Sequence, residues 1–388
     1  MGGVIEAVAG AVVEGSSLSS PPMPVPSPAS LAWLRLSLAS RQNVPVAELV
    51  RVAATAAVPF DATPEQAAHH LGMPVDARIF RREPREEEWN ASIEWLQKPE
   101  SQLLVPTDPR YPERLRQIDD PPLALFCRGT IEHLGAPGFA IVGSRNASAM
   151  GAVDAKAFAW ELAQCGLCIV SGLAAGIDAA AHEGALAAGA PTVAVMGTGP
   201  EITYPLAHKA LADRIAQQGC VITEYAPGVG PISWNFPRRN RLISGLSLGV
   251  LVVEAAQRSG SLITARLAAE QGREVFAMPG SVHATLARGC HALLREGAKL
   301  VETVDDLLTD LAWTGFRAAS GGTKRAPTST AEEGPVLKAV GHAPISADQV
   351  AVATGTPVSH VLAELCRLQL EGVVTLMPGG RFQRAPGP

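Results

Sequence analysis

The chain has 388 residues, of which 47% are hydrophobic and 18% are charged, and its formal net charge is −5. This length leaves room for one large core domain and one or two smaller ones, because a single hydrophobic core stops growing at roughly 250 to 300 residues. The acidic balance excludes a global electrostatic signature of nucleic-acid binding, so any such role must depend on a local basic patch.

The beginning of the chain, residues 1–30, is predicted to be a disordered tail. Its first fifteen residues contain no Lys or Arg, so the basic start of a signal peptide is missing. Residues 16–30 contain six Ser and five Pro, a composition that cannot bury enough apolar surface to become ordered. No later apolar run is long enough to cross a membrane. We therefore expect a cytoplasmic protein with no membrane partner.

Residues 31–98 carry apolar residues at helical spacing, which predicts a small helical domain. In residues 99–317, apolar strands alternate with helical segments. The predicted strands are 139–142, 168–170, 192–196, 221–223, 250–253 and 274–277. The predicted helices are 153–164, 177–188, 206–217, 261–271 and 291–296. The strands are continuous apolar runs, as expected when helices cover both faces, so the predicted class is α/β with a Rossmann-like, doubly wound parallel sheet.

The end of the chain forms a separate unit. Residues 318–331 are rich in Gly, Ser, Thr and Pro and are predicted to be a linker. Residues 332–388 contain three helical segments followed by a hairpin, the order of a winged helix-turn-helix domain. In its third helix Glu364 and Glu371 balance Arg367 and His360, so we expect a protein contact or weak DNA binding there.

The chain contains six cysteines, but only Cys165 and Cys168 form a C-x-x-C pair. A second pair that would complete a four-ligand zinc site is missing, so we expect no metal. The pair falls where a helix ends and a strand begins, a position typical of buried small side chains. Reduced, structural thiols in the cytoplasm are therefore favoured over a redox site.

Three loops contain residues suited to binding an anion. In open α/β sheets ligands bind beyond the carboxyl ends of the strands, and small residues there allow backbone N–H groups to approach a phosphate closely. The loops follow the strands at 139–142, 168–170 and 250–253. The candidate residues are Gly143, Ser144, Arg145, Ser171, Gly172, Gly176, Ser259, Gly260, Ser261 and Thr264.

The strongest local signal is a basic cluster of Arg238, Arg239 and Arg241, which surrounds Asn240 and follows Phe236. Guanidinium groups bind phosphates bidentately, and a neighbouring ring can stack on an unpaired base. The cluster therefore predicts a groove for single-stranded nucleic acid. The alternative is a solvated surface run.

Four other residues could do acid–base chemistry. We favour Asp178 as the charge partner of a helix N-terminus and His182, on the same helix face, as a structural residue. Glu224 and Glu254 each end a strand and could be catalytic carboxylates, but orientation of the nearby arginines is the favoured interpretation.

Residues 103–311 resemble the bacterial DNA-processing protein A (DprA/Smf) family. The segments that carry the resemblance are 143–145, 171–178, 204–205, 236–246, 259–261 and 278–281. The resemblance implies an extended Rossmann fold that binds single-stranded DNA, shields it from nucleases and loads the RecA recombinase during natural transformation. It also implies a homodimer, no cofactor and no enzymatic reaction, with a sterile-alpha-motif-like domain in front and a winged helix behind.

The resemblance also implies which residues contact DNA. Those expected to line the pocket are Arg145, Phe236, Arg238, Arg239, Asn240 and Arg241. Those expected to supply backbone and hydroxyl contacts are Ser171, Gly172, Gly176, Ser259, Gly260, Ser261 and Thr264.

Two enzymatic alternatives remain. A phosphoribohydrolase-type enzyme that hydrolyses nucleotides would share the glycine loops, but the Pro-Gly-Gly-x-Gly-Thr-x-x-Glu motif of such enzymes is missing. A dehydrogenase is less favoured, because neither a complete G-x-G-x-x-G fingerprint nor a well-placed acidic partner for the ribose is present.

Overall fold

The structure is a computed structural model that describes residues 26–39, 46–53, 58–59, 61–70, 72, 77–315, 334–341, 344–377 and 379–384. The predicted linker 318–331 and residues 1–25 of the predicted tail lie outside these residues. The first helix begins at Pro28, inside the segment predicted as tail, because the apolar pattern that continues through Leu34 and Leu36 already starts at Ala29.

Four α-helices lie in the described residues of the N-terminal module. They are α1 (Pro28–Ala39), α2 (Val46–Ala53), α3 (Pro64–His70) and α4 (Glu86–Leu96). Trp33 of α1 is completely buried, and its indole N–H donates a hydrogen bond to the Ala62 carbonyl at 3.0 Å. Trp33 belongs to the same buried cluster as Leu104 and Leu115, so the module shares its core with the larger domain that follows.

Nine strands of the described chain form one sheet. They are β1 (Ser101–Leu104), β2 (Leu125–Gly129), β3 (Gly138–Val142), β4 (Cys168–Ser171), β5 (Thr192–Val195), β6 (Cys220–Thr223), β7 (Ser247–Val252), β8 (Glu274–Ala277) and β9 (Lys299–Leu300). Their order is β1-β2-β6-β5-β4-β3-β7-β8-β9. Each strand in the part of this order that runs from β6 to β9 is parallel to its neighbours there. Strand β2 is antiparallel to both of its neighbours, β1 and β6.

The six predicted strands are all present, but the sheet is mixed rather than purely parallel. The prediction missed β1, β2 and β9, which are only four, five and two residues long. Short apolar runs of this kind lack the periodicity that separates a strand from a loop, so their pairing could not be read from the sequence.

Helices cover both faces of the sheet. They are α5 (Glu113–Arg116), α6 (Ala149–Gln164), α7 (Ile177–Ala187), α8 (Lys209–Gln218), α9 (Asn235–Gly245), α10 (Gly260–Glu270), α11 (Arg288–Arg295) and α12 (Val304–Asp310). Successive residues of a strand point to opposite faces. Phe139 and Ile141 of β3 therefore pack with α6, α7 and α12, whereas Ala140 and Val142 pack with α9, α10 and α11. The doubly wound α/β class is confirmed.

The connections of β3 and β7 determine where a ligand can bind. From β3 the chain moves outward through β4, β5 and β6, then returns to place β7 on the other side of β3 and continues outward to β8 and β9. The loops that follow β3 and β7 consequently diverge and leave a crevice between them. Such a switch point is where ligands bind in open α/β sheets.

The C-terminal unit has the predicted winged-helix order. Its helices are α13 (Pro335–Ala339), α14 (Ala347–Thr354) and α15 (Val358–Leu370), and its strands are β10 (Ile345–Ser346), β11 (Val374–Met377) and β12 (Arg381–Arg384). The strands form a sheet in the order β10-β12-β11. Arg367 forms exposed ion pairs with Glu364 and Glu371, so the charge of α15 is locally balanced, as expected.

All six cysteines lie in the described segments, and none is disulfide-bonded. Cys165 and Cys168 are both buried, and burial raises the pKa of the Cys168 thiol to about 12. A thiol in this environment is unreactive, which supports the structural interpretation. Among the described residues, no three potential ligands come together to hold a metal ion, and no helix is long and apolar enough to cross a membrane.

Candidate nucleic-acid interface

A cavity of about 410 Å³ lies at the switch point, over the carboxyl ends of β3 and β7. We call it the main cavity. The predicted residues that line it are Gly143, Ser144, Arg145, Phe236, Arg239, Asn240, Ser259, Gly260, Ser261 and Thr264. The predicted residues Ser171, Gly176, Arg238 and Arg241 are not part of this lining, and Gly172 lines an adjoining cavity.

The loop after β3 approaches the helix that follows β4 closely. A side chain at Gly143 would bring its Cβ to 2.5 Å from Cγ1 of Ile177, so only glycine fits. The Ser144 hydroxyl accepts a hydrogen bond from the Asn146 backbone N–H at 3.1 Å and turns the chain there. This turn leaves Arg145 exposed at the mouth of the main cavity.

The loop after β4 is fixed by buried side chains. The Asp178 carboxylate accepts hydrogen bonds from the backbone N–H groups of Gly172 and Ala174, at 3.1 and 3.4 Å. The Arg239 guanidinium donates to the Gly172 carbonyl at 2.7 Å. Leu173 between them has a positive φ of 58°, a conformation that is unfavourable for leucine. The loop is therefore preorganised, and Asp178 already occupies two of its N–H groups.

The Ser171 hydroxyl does not face the main cavity. It donates a hydrogen bond to the Ile141 carbonyl at 2.7 Å and is completely buried between β4 and β3. Gly176, with a φ of 78°, precedes the first residue of α7, where a Cβ would overlap the Ser144 carbonyl. Both residues thus shape the loops from within.

Arg239 lies inside the protein. The predicted basic cluster forms the first two turns of α9, and Arg239 is only 4% exposed. Its guanidinium donates hydrogen bonds to the carbonyls of Gly172 and Val195 and to Oδ1 of Asn240. Burial lowers the pKa of Arg239 to about 10, which still leaves it protonated at neutral pH. Its positive charge lies in the cavity wall together with the carboxyl group of Asp178, which lines the same cavity.

Arg241 is also buried, on another side of α9. Its two terminal nitrogens donate to the two oxygens of Glu224, at 2.5 and 2.7 Å, and its Nε donates to the Asp120 carbonyl. Burial alone would lower the pKa of Arg241, but the Glu224 carboxylate outweighs it and the pKa is raised. The interpretation of Glu224 as an arginine partner is confirmed.

The arginines do not all face the cavity, although this was expected. An α-helix makes one full turn in about 3.6 residues, so neighbouring side chains point in different directions. Arg238 and Arg241 share a face that meets Asp120, and Arg239 points toward β5. Direct phosphate contact by Arg239 or Arg241 would require their internal hydrogen bonds to be given up. Of the four predicted arginines, the accessible ones are instead Arg145 and the partly exposed Arg238.

Arg145 and Phe236 form the mixed charged and aromatic surface at the cavity mouth. The guanidinium carbon of Arg145 lies 5.5 Å from the centre of the Phe236 ring, within cation–π range. The Phe236 ring also packs against Tyr204, with ring centres 5.4 Å apart and planes inclined by 45°. Tyr204 belongs to the segment 204–205 that carries the family resemblance, but no local signal in the sequence links it to Phe236.

The turn after β7 places a helix N-terminus on the cavity. The Ser259 hydroxyl accepts a hydrogen bond from the Ser261 N–H and caps α10, a helix of eleven residues. The Asn240 amide donates to the Gly260 carbonyl at 3.4 Å. The positive end of the α10 dipole therefore faces the main cavity, as the sequence predicted for an anion site.

The remaining acid–base candidates have structural partners. Glu254 accepts hydrogen bonds from the N–H and the hydroxyl of Ser148, at 2.8 and 2.6 Å, so it supports the start of α6 instead of an arginine. Nδ1 of His182 lies 2.8 Å from the Thr192 hydroxyl. Burial, with a smaller contribution from Arg239, lowers the pKa of His182 to about 3, so its ring is neutral.

The fold and the site together define a doubly wound α/β protein that combines an anion-type crevice with a winged-helix domain. Comparison with protein families supports this description. Residues 102–312 match the model of DNA recombination-mediator protein A, and residues 322–380 match the DprA winged helix domain.

Individual relatives point to the same family. Protein Smf of Escherichia coli (strain K12) is 41% identical over 303 residues, which are 76% of this chain and 81% of that protein. The DNA processing protein DprA of Streptococcus pneumoniae is 49% identical over 203 residues, 52% of this chain and 72% of that protein. The chain belongs to the DNA recombination-mediator protein A family.

Two solved structures are similar. DprA from Streptococcus pneumoniae has a TM-score of 0.56 and 37% identity, covering 72% of this chain and 96% of that one. DprA from Helicobacter pylori has a TM-score of 0.50 and 31% identity, covering 55% of this chain and 95% of that one. The Helicobacter structure is described as giving insight into a unique single-stranded DNA binding mode.

Proposed function

We propose that this chain is a recombination mediator that binds single-stranded DNA at the main cavity, protects incoming DNA and loads RecA during natural transformation. The observation that carries the proposal is the Arg145–Phe236 pair beside the N-terminus of α10. A guanidinium and a helix N-terminus suit the phosphate, and the ring suits an unpaired base. The single-stranded DNA binding described for the Helicobacter relative supports this assignment.

A single strand fits this site better than a duplex. In a duplex, neighbouring base pairs cover both faces of each base, so the Phe236 ring would have no face to contact. In a single strand the base can turn toward the ring while its phosphate remains at the guanidinium. The buried Arg239 lines the wall together with Asp178, and its internal hydrogen bonds keep it from being a direct contact.

The test compares a single-stranded oligonucleotide with a duplex of the same length over a range of salt concentrations. We expect preferential binding of the single strand. Contacts to Z phosphates predict a slope of about −0.7Z when the logarithm of the affinity is plotted against that of the salt concentration. Equal affinity for both forms would argue against the main cavity and in favour of the winged helix, whereas a flat slope would argue against phosphate contact.

The biological role requires two further measurements. Nuclease digestion of bound oligonucleotides tests protection, and RecA filament formation on DNA coated with a single-strand-binding protein tests loading. We also propose that two copies form a homodimer in the cytoplasm, as the resemblance implies. Sedimentation equilibrium at several concentrations tests the dimer, and cell fractionation tests the location.

We propose that the crevice binds DNA without catalysing a reaction. The candidate carboxylates all have structural partners. Glu224 binds Arg241, Glu254 binds Ser148, and Asp178 binds the backbone of the loop after β4. Engaged carboxylates of this kind are poorly placed to activate water or a leaving group. Release of free base from nucleoside monophosphates would contradict this proposal and favour the phosphoribohydrolase alternative.

A further inference from the structure

A second cavity of about 230 Å³ adjoins the main cavity on the side of Tyr204. We infer that Tyr204 is a second stacking platform, so that the crevice holds two consecutive unpaired bases, one on each side of a wall formed by Arg145 and Phe236. This inference rests on the proposed function and deepens it, because it extends the site from one nucleotide to two.

The wall is defined by residues that border both cavities. Arg145 and Phe236 line the main cavity and the second cavity alike. A guanidinium in this position lies between two neighbouring compartments. It is therefore suited to the phosphate that links two bases, and one arginine can serve both nucleotides.

Tyr204 presents a ring to the second cavity. Its side chain is 46% exposed although it contacts Phe236. Because the planes of the two rings are inclined by 45°, the contact does not cover a whole face of the Tyr204 ring. The exposed ring surface is available to a flat ligand, and aromatic rings of this kind bind successive bases in single-strand proteins.

The rest of the second cavity also suits a base. Its lining includes the small residues Gly172, Ala174 and Ala175, which leave room for a planar group. Asn146, which lines both cavities, carries an amide that can pair with a base edge. Among the described residues that line this cavity, none has a carboxylate that would repel a phosphate.

A protein partner is the competing occupant of this surface, because Leu206, Ile232 and Trp234 are also exposed. The cavity favours DNA, since Tyr204 lines it together with Arg145, whereas these three residues line neither cavity. Trp234 is 65% exposed and only two residues from Phe236, so it provides a matched control for an aromatic side chain outside the cavities.

The experiment measures the affinity of the full chain for an oligothymidine by fluorescence anisotropy at several salt concentrations. We expect Tyr204→Ala and Tyr204→Leu to weaken binding by about 5- to 150-fold, the range for one lost stacking contact. The salt slope should not change, because no phosphate contact is removed. Tyr204→Phe should bind like the unmodified chain, and so should Trp234→Ala.

A second measurement does not depend on a variant. A series of oligonucleotides is prepared, each with a single 2-aminopurine at a different position. On binding, the fluorescence should change for two adjacent positions of the label. If the unmodified chain binds DNA while Tyr204→Ala and Tyr204→Leu bind equally well, the second platform does not exist and a protein partner becomes the better explanation. A reduced salt slope in Tyr204→Ala would also overturn the inference. If the unmodified chain binds no oligonucleotide, the proposed function itself fails.

Discussion

The carboxylate of Asp178 and the guanidinium of Arg239 both pack against Gly172, a residue with no side chain to displace them. A Cβ at this glycine would overlap the Arg239 guanidinium and lie 2.7 Å from Oδ2 of Asp178. Both charges are buried, and each also bonds to the Gly172 backbone. Two buried groups of opposite charge thus hold the loop after β4 by separate hydrogen bonds to the Gly172 backbone.

Gly172→Ala should therefore damage both the fold and binding. We expect the free energy of unfolding in urea to fall by about 1–3 kcal/mol, the usual cost of an extra methyl group in a packed site.

Gly260→Ala is the matched control, because nothing lies within 4 Å of its Cβ and its φ is not positive. It should keep or slightly raise stability, by up to about 0.5–1 kcal/mol, while a methyl group at the α10 N-terminus weakens DNA binding. Equal stability of both variants would contradict the packing at Gly172.

Arg145→Ala should lower the affinity for single-stranded DNA and reduce the steepness of the salt dependence. Each lost phosphate contact reduces the magnitude of the log–log slope by about 0.7. Arg214→Ala removes an exposed arginine on α8 that lines neither cavity, so its slope and affinity should match those of the unmodified chain. If the two variants behave alike, Arg145 is a solvated surface residue.

Arg241 and Glu224 should behave as a coupled pair. Removal of one partner leaves an uncompensated buried charge, so Arg241→Met or Glu224→Leu alone should cost about 3–5 kcal/mol of unfolding free energy. The double variant should be more stable than the sum of the two losses predicts, because neither charge is then stranded. Urea denaturation of all four proteins gives the coupling energy, and strict additivity would show that the pair is not coupled.

His182 should make the stability of the domain depend on pH. Its ordinary pKa is 6.5, and burial lowers the pKa in the folded protein to about 3. Between these values the unfolded chain binds a proton that the folded protein does not. The free energy of unfolding should therefore fall by up to about 1.4 kcal/mol for each pH unit below 6.5 and stay unaffected above it.

His182→Asn isolates this effect, because Asn cannot titrate but can still donate to Thr192. Burial raises the pKa of Asp178, which acts in the opposite direction but is present in both proteins. The stability of the unmodified chain minus that of His182→Asn, measured from pH 7.5 to pH 5, should fall as the pH falls. A constant difference would show that His182 is not buried in its neutral form.

Much of the sheet could be predicted because β3 to β8 are continuous apolar runs, and such runs are typical of strands covered on both faces. Helix α9 could not. Its first seven residues, 235–241, include Pro237 and a polar run that suggests a loop, yet proline is tolerated in the first turn of a helix, where its missing N–H has no partner to lose.

The orientation of the arginine side chains could not be predicted from the sequence either. Arg241 faces inward because Glu224 ends a neighbouring strand, and Arg239 faces inward because the Gly172 and Val195 carbonyls lie above β4 and β5. These partners come from distant parts of the chain. The sequence shows where the arginines lie along the chain. Only the packing distinguishes the exposed Arg145 from the buried Arg239 and Arg241.

The position of β7 beside β3 has a consequence for synthesis of the protein. The two strands whose loops enclose the crevice are separated in the chain by β4, β5 and β6, and the last lining residue, Thr264, lies beyond β7. A nascent chain that has emerged from the ribosome only as far as β6 has the loops after β3 and β4 but lacks the loop after β7, so its crevice is not enclosed. The crevice is therefore completed late in translation, and an incomplete polypeptide lacks the site at which we propose that DNA binds.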